Sequence, residues 1–246
     1  MENFRKTISH PLSIKIQKIL IFLCAIILGC GICFGSVSFA VTNDEDPTIT
    51  PPSVGYTIVV DPGHGGIDPG SIGYKTKVKE SDLNLKLSLM LADKLRAVGI
   101  RVIMTRTDEN SLADGLTGKS FKKEDMRLRK EMISKIRPNM VVSVHMNSFT
   151  NHVLRGAKMF YDKTSEISRK IAESIQKQFA ENLEASNDVA SVGDYYMLKC
   201  TESPSVIAEC GFLSNARDEQ LLLDQSYQEK IVNCIFVGII DFLNLK

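Results

Sequence analysis

The sequence predicts an α/β fold: a mainly parallel twisted sheet flanked by helices, arranged as a three-layer sandwich. Three observations predict it. Short β-rich apolar runs alternate with segments whose apolar residues recur at helical spacing. Glycine, proline or asparagine turn signals punctuate the chain between them. Three chemistry-bearing residues, His64, His145 and Glu209, stand at or just beyond the ends of such runs. Ligands collect in that position in open α/β sheets.

The first strand is Thr57-Ile58-Val59-Val60, which runs into Asp61-Pro62-Gly63-His64-Gly65-Gly66. The proline and three glycines there force a tight loop and let backbone approach whatever His64 binds. Asp68-Pro69-Gly70 marks a further turn. Ser81 opens a helix with Leu83, Leu87, Met90, Leu91 and Leu95 on one face and Gly99 just past its end, so Glu80 stands immediately before a rigid element. Ile100 to Met104 is the second strand. Residues 107–123 read as a polar surface loop, followed by a helix from about Asp125 to Ile136 that Pro138 stops. Met140 to Val144 is a buried strand leading into His145-Met146-Asn147-Ser148. A strand over Ala157 to Tyr161 and a helix from about Ser165 to Asn182 follow. Tyr195 to Leu198 and Ser205 to Ala208 read as strands, the second delivering Glu209. Helices near Ala216 to Asp224 and Tyr227 to Asn244 close the chain.

Of the 246 residues, 43% are hydrophobic and 24% charged, enough for one domain with a sizeable core. The chain carries 30 Lys+Arg against 29 Asp+Glu. Four of those bases (Arg5, Lys6, Lys15, Lys18) and one acid (Glu2) fall in the first 43 residues, which leaves the remainder near neutral. That balance argues against a nucleic-acid binder. From Ile19 to Asn43 there is no charged residue, and Ile19 to Phe34 is almost entirely apolar behind a basic start. Residues 1–41 therefore read as an export signal or a membrane anchor, with Ser38-Phe39-Ala40 supplying small residues where a signal peptidase cuts. Either reading exports the domain, to the outer face of the cytoplasmic membrane or beyond. Residues 42–53 are the linker, and 54–246 the catalytic body. Three of the six cysteines fall in the export segment. Cys200, Cys210 and Cys234 remain, without metal-ligand spacing, and an odd count leaves at least one unpaired.

Two histidines and one carboxylate form a common catalytic zinc site, with the fourth position open to water. A second carboxylate can take that water's proton. If His64, Glu80, His145 and Glu209 converge, they fit a zinc hydrolase. Each has a plainer reading. A lone histidine after a strand is usually a hydrogen-bonded surface residue, and His152, in a polar loop, is read as solvated. Glu80 alone would be a helix N-terminal carboxylate stabilised by the dipole. Glu209, behind Val206-Ile207-Ala208, would be costly to bury unpaired. Arg106 and Arg129 are surface arginines by default, or else substrate-carboxylate binders and orienting groups. Asp61 and Asn147 are candidates to accept the second N–H of a ligating imidazole.

Val59-Val60-Asp61-Pro62-Gly63-His64-Gly65-Gly66, Glu80 before a leucine-rich helix, Ser143-Val144-His145-Met146-Asn147 and Glu209-Cys210-Gly211-Phe212-Leu213-Ser214-Asn215 occur in that order. Together they resemble the zinc-dependent N-acetylmuramoyl-L-alanine amidases of the type 3 catalytic domain. The likeness spans about Val54 to Lys246 and is nearest the small spore-cortex (germination-specific) amidases of endospore formers. It implies a phosphorylase/hydrolase-like fold, Zn2+ held by His64, Glu80 and His145, and Glu209 as the catalytic acid/base. It also implies peptidoglycan as the substrate, in cell-wall or cortex remodelling. A zinc peptidase or deacetylase of the same polymer, or a non-catalytic peptidoglycan-binding scaffold with a relic site, are the alternative readings. No cell-wall-binding repeat flanks the body, so targeting is expected through the membrane or a protein partner. Only a few residues separate the strand ending at Tyr161 from the next helix, so the blocking helix of regulated division amidases is not expected. Met146 and Cys210 depart from the smaller or aliphatic residues usual at those places.

Overall fold

The computed structural model describes residues 55–244. The expected export segment (1–41) and linker (42–53) lie outside the described residues. Six strands form one sheet in the order β2-β1-β3-β6-β4-β5. They are β1 (Thr57–Pro62), β2 (Arg101–Met104), β3 (Met140–Asn147), β4 (Lys158–Tyr161), β5 (Ser191–Val192) and β6 (Ser205–Phe212). All neighbours run parallel except β4 and β6, which are antiparallel. The sheet is therefore mixed, with the mainly parallel character that the sequence predicts. The helices are α1 (Glu80–Ala97), α2 (Lys119–Ile136), α3 (Glu166–Asn182), the single turn α4 (Tyr196–Lys199), α5 (Ala216–Leu223) and α6 (Gln225–Asn244).

Period-two alternation along the central strands sends successive side chains to opposite faces of the sheet. Ile58, Val60, Val142, Val144, Val206 and Ala208 face the larger core. There they meet Leu87 and Leu91 of α1, Ile171 and Phe179 of α3, and Ile235 and Ile239 of α6. Val59, Val141 and Ile207 face the smaller core beneath Ile133 of α2 and Met197 and Leu198 of α4. This is the three-layer sandwich. At about 25 cal/mol per Å2, each fully buried Leu, Ile or Phe contributes about 1.5–3 kcal/mol.

Several elements differ from the sequence reading. Tyr195 to Leu198, expected as a strand, is the turn of helix α4. The sheet edge there is instead the two-residue β5. Aromatic β-propensity gave the wrong answer because Met197 and Leu198 bury on the small core from a helical turn. Helix α2 begins at Lys119, inside the segment expected to be a loop. Gly118, at φ 74°, precedes it without a side-chain cap. His145 and Glu209 lie within β3 and β6 rather than past their ends. Asp162–Ser165 alone joins β4 to α3, so no helix is inserted there. Cys200, Cys210 and Cys234 are all free. No helix among the described residues is long and apolar enough to cross a membrane.

Candidate active site

The end of β1 and the loop after it, the C-terminal halves of β3 and β6, and residues of α2 and α4 line one cavity of about 460 Å3. Its lining includes His64, Asp68, Glu80, His145 and Glu209. Glu80 is the first residue of α1, and loop carbonyls take up the first free helix N–H groups. Glu80 N–H donates to Ser71 O (2.9 Å) and Ser81 N–H to Pro69 O (3.0 Å). The helix thus starts on the loop that holds His64, and the two side chains meet.

Glu80 is 3% exposed, with Oε1 3.2 Å from His64 Nε2 and 3.0 Å from His145 Nδ1. One donor atom from each of the three residues lies within 4.8 Å of the others, the one such cluster among the described residues. Glu80 is further held by N–H groups of Ser71 (2.8 Å to Oε2) and Met146 (3.2 Å to Oε1), and by Asn84 Nδ2 (3.3 Å to Oε1). Burial opposes its ionisation, but hydrogen bonds and charge from the two imidazoles outweigh this and hold its pKa low. Burial likewise disfavours protonated His64. Asp68 and Glu80 reverse that, raising its pKa to about 9. An extra proton thus holds together donor atoms that a divalent cation would otherwise hold.

The approach is close enough to require glycine. A Cβ on Gly63 would lie 2.2 Å from His145 Cε1. On Gly70, at φ +66°, it would lie 2.6 Å from Glu80 Oε2. His64 itself adopts φ 59°, an uncommon conformation for a non-glycine residue.

Glu209 pairs in register with His145 across β3 and β6, where the ladder shifts between His145 and Asn147. Bulges of this kind re-aim side chains beside sites. Glu209 is 7% exposed, and its Oε2 has no hydrogen-bond partner. Desolvation, with Glu80 adding to it and the histidines opposing, pushes its pKa up to about 7. A buried carboxylate poised near neutrality in a cavity suits proton transfer.

The supporting residues are placed differently from their sequence readings. Arg129 is 1% exposed and Arg106 is also buried, so neither is a surface arginine. Arg129 donates to Asp61 Oδ1 (2.6 Å), Asp125 Oδ2 (2.8 Å), Pro62 O (2.8 Å) and His64 O (2.7 Å). Arg106 donates to Pro62 O (3.1 Å), Gly63 O (2.9 Å) and Ser81 O (2.8 Å). Both clamp the backbone of the histidine loop. Asp61 accepts from Arg129, Thr105 Oγ1 (2.6 Å) and Ser143 Oγ (2.6 Å). The acceptor beside His64 Nδ1 is Asp68 Oδ2 at 2.9 Å, a residue the sequence reading passed over. Its signal was a carboxylate four residues after His64 in a glycine-rich turn. Asn147 lines the cavity, and its carbonyl accepts from Leu213 N–H (2.8 Å). His152 is exposed but tied down, its Nδ1 2.6 Å from Ser214 O.

The donor set fits a metal of the zinc class: two imidazole nitrogens and a carboxylate oxygen converge, and one imidazole is oriented by a second carboxylate. An unpaired buried carboxylate oxygen in the same cavity leaves a proton acceptor beside the cluster.

Comparison with known proteins places the chain in a family with this fold. The family model described as N-acetylmuramoyl-L-alanine amidase matches residues 58–241. The germination-specific N-acetylmuramoyl-L-alanine amidase of Bacillus subtilis (strain 168) is 33% identical over 207 residues, covering 83% of this chain and 86% of its own. Among solved structures, the CwlD amidase of Clostridioides difficile, in complex with the GerS lipoprotein, superposes with a TM-score of 0.75 at 38% identity. That match covers 78% of this chain and 100% of the other. The catalytic domain of the amidase CwlV of Bacillus (Paenibacillus) polymyxa gives 0.68 at 26% identity, over 78% of this chain and 100% of that domain.

Proposed function

The chain belongs to the N-acetylmuramoyl-L-alanine amidase family and is an amide hydrolase of cell-wall or spore-cortex remodelling, and we propose that it works with zinc held by His64, Glu80 and His145 and with Glu209 as its proton-transfer group. One observation carries this reading. The three donor atoms converge within 4.8 Å, in the same cavity as a buried carboxylate with an unpaired oxygen.

The bond cut joins the lactyl carbonyl of N-acetylmuramic acid to the amine of L-alanine. Zinc, when bound, supplies Lewis-acid polarisation of the scissile carbonyl and a water pKa of roughly 7. Glu209 removes a proton from the attacking water as the new C–O bond forms. It then delivers that proton to the amine nitrogen as the C–N bond breaks. The products are a free lactyl carboxylate on the sugar and a free L-alanine amino terminus. Asp68 keeps His64 in the tautomer that turns Nε2 toward the cluster, while Arg106 and Arg129 hold the loop that carries it.

We further assign the N-terminal segment to export, which places the body outside the cytoplasm, on the outer membrane face or secreted. The relative solved with a lipoprotein supports a protein partner for this chain too. Glu209→Gln tests the catalytic assignment. Metal content should stay at the wild-type level while kcat for stem-peptide release falls by about 100-fold or more. Undiminished turnover would remove Glu209 from the reaction.

A further inference from the structure

We propose that an aromatic shelf of Tyr74, Phe149 and His152 beside the catalytic cavity is a subsite for the glycan strand of peptidoglycan, a reading that rests on the amidase function above. A cavity of about 460 Å3 holds the sugar–peptide junction but not a polymer, so the strand must continue onto flanking surface. Ser148 lines both that cavity and a second hollow of about 400 Å3, walled by Ile72, Tyr74, Phe149 and His152. The two are neighbours, so a chain leaving the first meets the second.

The shelf is exposed yet anchored. Tyr74 is 49% and Phe149 57% exposed, and Ile72 beside them 46%. Scattered apolar surface needs no explanation, but a cluster at a cavity mouth does. All three ring residues hang from three consecutive positions that follow β6. Tyr74 N–H donates to Leu213 O (3.0 Å), and Phe149 N–H to Ser214 Oγ (3.0 Å). His152 Nδ1 lies 2.6 Å from Ser214 O, and Asn215 Nδ2 donates to His152 O (2.6 Å). A carbonyl only accepts, so Nδ1 is the donor of that contact and the ring is fixed in orientation. The Tyr74 and His152 rings are 5.0 Å apart, and the Lys75 ammonium lies 4.8 Å from the Tyr74 centroid.

Charge selects the glycan over the stem peptide. The hollow is lined by apolar faces, hydroxyls and an imidazole and holds no carboxylate, and the Lys75 ammonium beside it is taken up over the Tyr74 ring. Stem peptides carry carboxylates that need cations, and Lys122, a cation lining the catalytic cavity, stands 3.6 Å from Asp68 Oδ2 in that cavity rather than in the hollow. With its lactyl carboxyl tied up in the amide, the sugar strand presents C–H faces, hydroxyls and acetamido groups. Rigid rings with polar edges suit those groups.

The experiment compares Tyr74→Ala and Phe149→Ala with the wild type, using zinc-loaded full chain. Two substrates are used: long-strand peptidoglycan and N-acetylmuramoyl-tripeptide with its single sugar. The ratio of kcat/KM, long strand over single sugar, should fall about tenfold in each variant, the scale of one lost ring contact. Calorimetry should show N-acetylchitotetraose, which has no scissile bond, binding Tyr74→Ala about tenfold more weakly than wild type. An unchanged ratio with unchanged chitotetraose binding overturns the subsite and leaves the shelf to a protein partner. If the wild type releases no stem peptide from either substrate, the proposed function falls, while chitotetraose binding still decides the shelf.

Discussion

Single residues set the chemistry, and His64 carries the clearest pH signature. In the metal-free protein its pKa is about 9, because Asp68 and Glu80 together overcome burial. A metal must displace that proton. Zinc affinity should therefore rise by about tenfold per pH unit from pH 6 to 8 and level off as the pH passes 9, read by competition with a chelator. Asp68→Asn should weaken zinc by about 10–100-fold and flatten this slope. Glu209 gives the opposite kind of linkage. Its folded pKa of about 7 lies above the ordinary carboxylate value, so the fold loses stability as pH rises from about 4.5 to 7. Without metal, Glu209→Gln should then be more stable than wild type by up to about 3 kcal/mol at pH 8, and by little at pH 5. Denaturant melts at the two pH values check this; equal differences at both would contradict it. Glu209 and the histidines were legible in sequence because polar groups stood out in or against apolar strand runs. Asp68 was not, because an aspartate in a glycine turn looks like any other turn residue.

At the scale of elements, the site depends on a clamp between layers. Arg129 reaches from α2 through Asp61 at the end of β1 to the carbonyl of His64. Burial disfavours its charge, but Asp61 and Asp125 more than restore it and raise its pKa. Arg129→Met should cost about 3–5 kcal/mol in a denaturant melt, because it leaves two carboxylates buried without their cation. A loss under about 1 kcal/mol would show that the clamp is not structural. The sequence hid this clamp because an arginine in a charged helix with polar neighbours reads as solvated. It also hid the first turn of α2, where Gly118 supplies no cap, and the two-residue β5, too short to show alternation. The long amphipathic elements were readable. The leucine stripe of α1 and the valine runs of β1 and β3 bury on both faces as their periods require.

The whole molecule gathers these parts at one end of a mixed six-stranded sheet. Parallel neighbours β1, β3 and β6 bring loop 61–80, His145 and Glu209 to the same cavity. Sequence order alone gives no strand order, so this convergence was an expectation until the topology placed β3 between β1 and β6. The central claim is that the assembled cavity hydrolyses the sugar–peptide amide with zinc. Mass spectrometry of purified peptidoglycan digested by the full chain, with zinc and after chelation, tests it most directly. The account predicts glycan strands with free lactyl carboxylates and peptides with free L-alanine amino termini, only when zinc is present. Cleavage at a peptide or acetamido bond instead, or the same products after complete chelation, would contradict it.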